Sequence, residues 1–328
     1  MSLREHYWRF LANCRNLATF IKDMLKPYYY PLQQRNNFGF FAVDIKARIG
    51  FFAQLSWCLY ILDHCERLGL KPILLLSSPF YTLNEKDNWL DYFFLPQYSM
   101  DALKKDRRIK VSHISDIEQL GLPQNVPQMT LERGNYLINK YLPINDSVLS
   151  YVEEFVGENF GKDCTLGLHY RGTDKKLEAK PVEWDVALDK VFIYLNNNSQ
   201  VDTLFVASDE QAFIKWLEVN LGHRVRVVYH KDHVLSENGH PIHTNLNSGC
   251  NYTKGKEALI NCLLLSKCHA LIRTSSFLSG WASVFNPSLP VIMLNRPYTN
   301  TTWFPDSLIL QRAIDEYLPD KTKEIFES

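Results

Sequence analysis

The sequence lacks an excess of charge of either sign. Its 36 Lys and Arg residues balance 36 Asp and Glu residues. A chain without a net electrostatic field is a poor general binder of nucleic acids or anionic membranes, which argues against both classes. A small anionic ligand in a local basic pocket remains compatible with this balance.

The sequence also lacks the cysteine patterns of zinc sites and disulfide frameworks. Its seven cysteines are scattered and form no CxxC pair or Cys/His cluster. No stretch approaches the roughly 20 apolar residues that span a membrane. The first residues mix charges into apolar positions, so no secretory h-region is visible. We therefore expect a cytoplasmic protein that does not span a membrane and has no metal site.

What the sequence does contain is a regular alternation of strand and helix patterns. The segment KPILLL at 71–76 predicts a strand, and a helical pattern closed by Gly69 precedes it. The second half repeats this alternation more clearly, which is typical of parallel, doubly wound sheets. The length of 328 residues favours two domains. We predict an α/β protein of two Rossmann-like domains, 1–158 and 159–328, that face a cleft. The terminal helix is expected to pack back on the first domain.

Three predicted strands of the second half end in polar residues. The strand in CTLGLHYRGTDKK at 164–176 is followed by Arg171, and TLFVAS at 203–208 is followed by Asp209. The strand in HALIRT is followed by Thr274 and two serines. Because parallel strands end at one edge of a sheet, where ligands bind in open α/β folds, these residues are expected to converge.

The residue types at this edge suit a nucleotide. Arg171 can hold a phosphate through a bidentate pair, and Gly172 lets the backbone pass close to it. Thr274, Ser275 and Ser276 stand at the start of a predicted helix. Their hydroxyls would lie at its N-terminal end, where the positive helix dipole favours anions. Asp209 could accept hydrogen bonds from a base edge. The alternative is that the loop is solvated and that the serines or Asp209 are helix caps. Three polar ends on one edge favour the nucleotide pocket.

These motifs resemble those of the fucosyltransferase superfamily, which includes the alpha-1,6, alpha-1,2 and protein O-fucosyltransferases. HYRGTDK at 169–175 is similar to the HxRxTDK-type motif, and ASDE at 207–210 is similar to a second motif. The stretch at 254–287 resembles a third region, in which a helix and a strand lead into a Ser-Ser helix start. The likeness covers about residues 160–297 in order and spacing.

The resemblance implies a GT-B fold, GDP-fucose as the donor, inversion at the anomeric carbon and no metal or other cofactor. It implies that Arg171 binds the β-phosphate, that Ser275 and Ser276 hold the diphosphate, and that Asp209 and His169 lie near guanine. Asp174 and Lys175 would lie beside the reaction centre. The remaining predicted donor-site residues are Gly172, Thr173, Arg273 and Thr274.

The chain departs from the family pattern at two positions. Gly172 stands where many alpha-1,6 enzymes have a second Arg, so phosphate binding could draw on Lys175, Lys176 or Arg273. Glu178 is out of register by one residue with the expected acid. The general base is therefore either Asp174 or Glu178, at even odds.

The acceptor is expected to be a carbohydrate bound on the side of the first domain. Trp89, Tyr92 and Phe93 are the candidates for stacking against a sugar, with burial in the core as the alternative for each. Two other functions stay open at this point. One is a nucleotide-sugar-binding protein without transfer activity, and the other is a transferase that uses another GDP- or UDP-sugar.

Overall fold

The computed structural model describes most of the chain from residue 39 to residue 310. The described residues are 14, 17, 21, 25, 39–103, 108–113, 116–117, 129–162, 164–172, 179–230, 251–298 and 304–310. Within this part the protein is a mixed α/β structure with two parallel sheets. The predicted α/β class is therefore confirmed.

The first half contains a three-stranded parallel sheet. Its strands are β1 (Phe40–Ile45), β2 (Lys71–Leu76) and β3 (Ile109–Val111), in the order β2-β1-β3. Helix α1 (Phe51–Leu68) connects β1 to β2 and is buried along most of its length. It ends at Gly69, which has a positive φ of 63° and donates its N–H to the last turn, the role predicted for this glycine.

Two helices follow in a stretch that the sequence patterns left unassigned. They are α2 (Leu131–Tyr141) and α3 (Asp146–Asn159). Each begins with a side-chain cap, because Thr130 accepts a hydrogen bond from the N–H of Arg133 and Asn145 from that of Val148. Because helix α3 runs from Asp146 to Asn159, it spans position 158, where the boundary between the two domains was predicted. That boundary stays a prediction.

The second half contains a five-stranded parallel sheet with the order β6-β5-β4-β7-β8. Its strands are β4 (Cys164–Tyr170), β5 (Val201–Ser208), β6 (Arg226–Val228), β7 (Ala270–Arg273) and β8 (Val291–Met293). Its helices are α4 (Trp184–Asn197), α5 (Gln211–Leu221), α6 (Asn251–Ser266) and α7 (Phe277–Phe285). None of the helices that the structure describes has the length and apolar composition needed to cross a membrane.

One hydrophobic cluster contains side chains from both halves of the chain. At its centre, the indole N–H of Trp281 on α7 donates to the Ser56 hydroxyl on α1 at 2.9 Å, and the Trp281 ring packs against Phe52. The ring of Phe304 lies against Gly134 on α2. The second half is thus packed on helices of the first half, while the predicted cleft between two domains stays a prediction.

Candidate functional site

The three strands that end in polar residues are neighbours in the second sheet. Strand β4 lies between β5 and β7, with Tyr170 paired to Ser208 and His169 paired to Arg273. The chain therefore leaves the three strands at one edge. This places Arg171 and Thr274 next to each other and Asp209 on the other side of Arg171.

Direct hydrogen bonds join the loops that follow β4 and β7. The backbone N–H of Arg171 donates to the Thr274 hydroxyl at 3.1 Å, and the N–H of Thr274 donates to the carbonyl of His169 at 3.0 Å. The Thr274 hydroxyl also lies 3.5 Å from His169 Nδ1. Both Thr274 and His169 are buried. The edge is thus a fixed arrangement and not a pair of independent loops.

The Arg171 side chain lies in the site near an acid and a tyrosine. Its Nε atom is 3.9 Å from Asp209 Oδ2, and both side chains are partly exposed. Burial raises the pKa of Tyr81 above its ordinary value, and the nearby charge of Arg171 opposes that rise. Because Tyr81 belongs to the loop that follows β2, the first half of the chain contributes to the surroundings of Arg171.

The two serines before α7 differ in what they can offer a ligand. The N–H of Ser275 donates to Asn295 Oδ1 at 2.8 Å, and its hydroxyl donates to Asp306 Oδ2 at 2.6 Å. The Ser276 hydroxyl is buried and has no hydrogen-bond partner among the residues that the structure describes. Ser276, the N-cap residue of α7, is therefore the serine whose hydroxyl is not already engaged by a described residue.

Arg273 faces into the protein and not toward the site. Its side chain is 0% exposed and forms an ion pair of 2.7 Å with Asp306. Its Nε donates to the Ser279 hydroxyl at 2.8 Å and its second terminal nitrogen donates to the carbonyl of Ser276 at 2.7 Å. The prediction that Arg273 contacts the donor is therefore corrected, because its guanidinium is engaged by α7 and by the segment that contains Asp306.

Gly172 lies directly beside Glu210, a residue that the sequence analysis did not single out. A Cβ atom at position 172 would overlap the Glu210 carboxylate and would lie 3.0 Å from the Tyr170 ring. Burial raises the pKa of Glu210, the neighbouring charge of Asp209 raises it further, and a hydrogen bond from Trp184 opposes both. The carboxylate of Glu210 thus occupies the space beside Gly172 into which the Cβ atom of any larger residue at position 172 would project.

The remaining predicted site residues lie outside the described residues. They are Thr173, Asp174, Lys175, Lys176 and Glu178. Their predicted roles stay predictions.

Among the residues that the structure does describe, no group of three or more His, Cys, Asp or Glu side chains is arranged to hold a metal ion. The predicted independence of metal stays a prediction.

The predicted sugar-stacking aromatic residues are mostly part of the core. Trp89 and Phe93 are both 0% exposed, and the indole of Trp89 donates to Gln54 at 3.2 Å. Tyr92 is half-buried and donates its hydroxyl to Asp87 at 2.5 Å. The stacking role is therefore wrong for Trp89 and Phe93, because neither ring has a surface that a glycan could reach.

Comparison with known proteins identifies relatives by structure alone. No family model and no curated protein matches the sequence. POFUT1 in complex with GDP-fucose matches with a TM-score of 0.52 and 10% identity, over 78% of this chain and 98% of that chain. POFUT1 in complex with GDP gives 0.51 and 9%, over the same shares. The fucosyltransferase NodZ from Bradyrhizobium gives 0.45 and 14%, over 77% and 96%.

At these identities the likeness shows a shared fold. The similarity to POFUT1 extends over nearly the whole of that chain. The α/β fold with parallel sheets that the resemblance implied is thus confirmed, and the GT-B arrangement of two domains around a cleft stays a prediction.

Proposed function

We propose that the protein is an inverting glycosyltransferase that transfers fucose from GDP-fucose to a hydroxyl of a glycan without a metal ion. The observation that carries the proposal is the hydrogen bond from the N–H of Arg171 to Thr274. It holds Arg171, the arginine predicted to bind the β-phosphate, beside the start of α7, where the Ser276 hydroxyl has no partner among the described residues. POFUT1, which has the same fold, was crystallised with GDP-fucose.

The start of α7 supports binding of a diphosphate. The first N–H groups of any helix have no partner within the helix, and the helix dipole makes this end positive. The first turn of α7 contains no acidic residue that would cancel this effect. Ser276 adds a hydroxyl donor next to these N–H groups. A diphosphate between Arg171 and α7 would therefore receive donors from both sides.

Asp209 and His169 are proposed to contact the base. Both lie at the same strand edge as Arg171, and Asp209 is close enough to Arg171 for the two charges to interact. A carboxylate can accept hydrogen bonds from the N–H groups of guanine. The GDP-bound and GDP-fucose-bound structures of POFUT1 support guanine as the base.

The proposed reaction is a single displacement at C1 of the sugar. The acceptor hydroxyl attacks as the bond to the diphosphate breaks, so negative charge grows on the leaving group. Arg171 and α7, together with Lys175, would stabilise that charge, and loss of one such partner typically costs about 10²- to 10³-fold in rate. A carboxylate base, either Asp174 or Glu178, would add about 10²- to 10⁴-fold.

The proposal includes a cytoplasmic location and a carbohydrate acceptor that is not yet identified. Tyr92 is the one aromatic candidate for the acceptor side that is partly exposed, because the rings of Trp89 and Phe93 are buried. A cytoplasmic enzyme of this type would act on a glycan or a lipid-linked precursor on that side of the membrane.

The experiment that tests the function is donor turnover. Purified protein is incubated with GDP-fucose and a panel of oligosaccharides in the presence of EDTA, and released GDP is measured. Acceptor-dependent release of GDP, with a product whose anomeric configuration is opposite to that of the donor by NMR, is the expected result. Binding of GDP-fucose without release for any acceptor would favour the binding protein. Turnover of UDP-sugars alone would correct the donor. The proposal would be contradicted if the protein neither bound nor turned over any nucleotide sugar.

A further inference from the structure

A short segment near the end of the described chain is seated between α7 and α2. Phe304 is 2% exposed, and its ring lies against Gly134. On α7, a Cβ atom at Gly280 would lie 2.9 Å from Pro305 Cγ and 2.7 Å from Asp306 Oδ1. A glycine inside a helix costs about 1 kcal/mol relative to alanine. Its presence here allows residues 304–306 to approach α7 closely.

The carboxylate at the centre of this segment has two partners, one for each oxygen. Asp306 Oδ1 forms the ion pair of 2.7 Å with Arg273, and Oδ2 accepts the hydrogen bond of 2.6 Å from the Ser275 hydroxyl. Asp306 is 7% exposed and Arg273 is fully buried. Because a carboxylate only accepts hydrogen bonds, the direction of the Ser275 hydroxyl is fixed toward Asp306.

Arg273 extends this contact into the first turn of α7. It donates to the hydroxyl of Ser279 and to the carbonyl of Ser276, and that carbonyl also accepts the helical hydrogen bond from Gly280. Asp306 therefore holds Ser275 directly and holds Ser276 through Arg273. Both serines belong to the turn that would face a diphosphate.

We propose, on the basis of the proposed function, that Asp306 is a positioning residue for the donor diphosphate. It accepts the hydrogen bond of the Ser275 hydroxyl, so that the Ser276 hydroxyl and the first N–H groups of α7 are the donors left for the ligand. It also neutralises Arg273, so that the charge acting on the diphosphate comes from Arg171.

A positioning role for Asp306 predicts a change in ligand binding that a purely structural role does not. An amide at position 306 supplies one acceptor oxygen where the carboxylate supplies two, so either Arg273 or Ser275 loses its partner. The first turn of α7 would then lose its fixed arrangement. Binding of the β-phosphate should weaken, while binding of the base should not, because Asp209 and His169 lie on other strands.

The test compares the dissociation constants of GDP and GMP by titration calorimetry. The variants are Asp306→Asn, Ser275→Ala and the two combined. The matched control is Asp63→Asn, which removes a mostly buried carboxylate on α1 that contacts Arg67 on α1 and Arg133 on α2, at 3.0 Å each. All variants are measured at a temperature at which circular dichroism shows them folded.

We expect Asp306→Asn to reduce the preference for GDP over GMP by about tenfold, the effect of losing one charge-assisted hydrogen bond. The dissociation constant for GMP should change less than about twofold. Ser275→Ala should reduce the preference in the same direction, and the combined variant should not exceed the larger single effect, because the two residues act as one unit. Asp63→Asn should lower Tm and leave the preference unchanged.

The outcomes separate this inference from the proposed function. If wild-type protein binds GDP but neither Asp306→Asn nor Ser275→Ala changes its preference for GDP over GMP, the positioning role is wrong and the proposed function stands. If Asp306→Asn does not fold, Ser275→Ala decides the question, because it removes the same contact without leaving Arg273 unpaired. If wild-type protein binds no nucleotide diphosphate, both the function and the inference are overturned.

Discussion

The backbone N–H of Arg171 donates a hydrogen bond to the hydroxyl of Thr274, a residue 103 positions away in the sequence. This contact joins the ends of two adjacent strands, β4 and β7, at the edge where a parallel sheet presents its loops. Because the donor is a backbone N–H and the accepting Thr274 hydroxyl is buried, the position of Arg171 relative to the start of α7 is fixed.

The first prediction concerns the charge at position 171. Arg171→Ala should lower turnover of the nucleotide-sugar donor by about 10²- to 10³-fold, because a partner of the leaving diphosphate is lost. Arg171→Lys should recover only part of this rate, since an ammonium cannot form the bidentate pair. The measurement is kcat/KM for the donor. Arg67→Ala, on the exposed end of α1, is the control and should leave kcat/KM unchanged.

The second prediction distinguishes the two serines. Ser276→Ala removes a buried hydroxyl that has no partner among the described residues, so the free energy of unfolding should stay the same or rise slightly. Affinity for GDP should nevertheless fall about tenfold, because the diphosphate loses a donor. Thermal unfolding and calorimetry on the same sample measure both effects. A fall in stability without a loss of affinity would show that the hydroxyl is structural.

The third prediction concerns the contact between Gly172 and Glu210. Gly172→Ala places a Cβ atom where the Glu210 carboxylate lies, so the carboxylate must move and its hydrogen bond with Trp184 is weakened. The free energy of unfolding should fall by about 1 kcal/mol. In a Glu210→Ala background the same substitution should cost less, because only the close contact with the Tyr170 ring remains, and the difference is the coupling energy of a double-mutant cycle. Equal costs in both backgrounds would contradict the contact.

The fourth prediction is a pH dependence that arises from Glu210. Its pKa in the folded protein is raised above the ordinary value of 4.5, first by burial and then by Asp209. The folded state therefore binds this proton more tightly than the unfolded state, and the stabilisation is lost as pH rises from 4.5 through the raised value. Glu210→Gln should thus gain Tm relative to wild type as pH rises from about 4 to about 7. A constant difference across this range would show that the pKa is ordinary.

The fifth prediction tests the assignment of Phe93 to the core. The ring of Phe93 packs against Phe51, Tyr252 and Gly255 and is fully buried. Phe93→Ala should lower the free energy of unfolding by about 3–5 kcal/mol, as is usual for a large aromatic side chain lost from a core. Tyr92→Ala should cost less, because Tyr92 is half-buried. Denaturant unfolding gives both values, and a small effect for Phe93→Ala would contradict the assignment.

The sequence was sufficient to predict β4, β5 and β7 and the edge of the sheet at which they end. Their apolar runs are short and bounded by polar residues, which is the pattern of buried parallel strands. The helices α2 and α3 were not predicted. Their stretch is rich in polar and charged residues, and their boundaries depend on the caps Thr130 and Asn145, which are common residues in loops as well.

The roles of individual polar side chains were harder to predict than their location. Arg273 was expected to face the ligand, and its actual partner, Asp306, lies 33 residues further along the chain in a different segment. Nothing in the spacing of the two residues indicates their contact. Similarly, the difference between Ser275 and Ser276 depends on Asn295 and Asp306, which only the fold brings to Ser275.

The measurement that tests the central claim most directly is calorimetric titration of the wild-type protein and Arg171→Ala with GDP in EDTA, with UDP, ADP and CMP as comparisons. We expect wild-type protein to bind GDP in preference to the other nucleotides. We expect Arg171→Ala to bind GDP at least about tenfold more weakly at unchanged fold, since a charge-assisted pair is lost. Equal affinity for GDP in the two proteins, or no binding of any nucleotide to the wild type, would contradict a donor diphosphate site between Arg171 and α7.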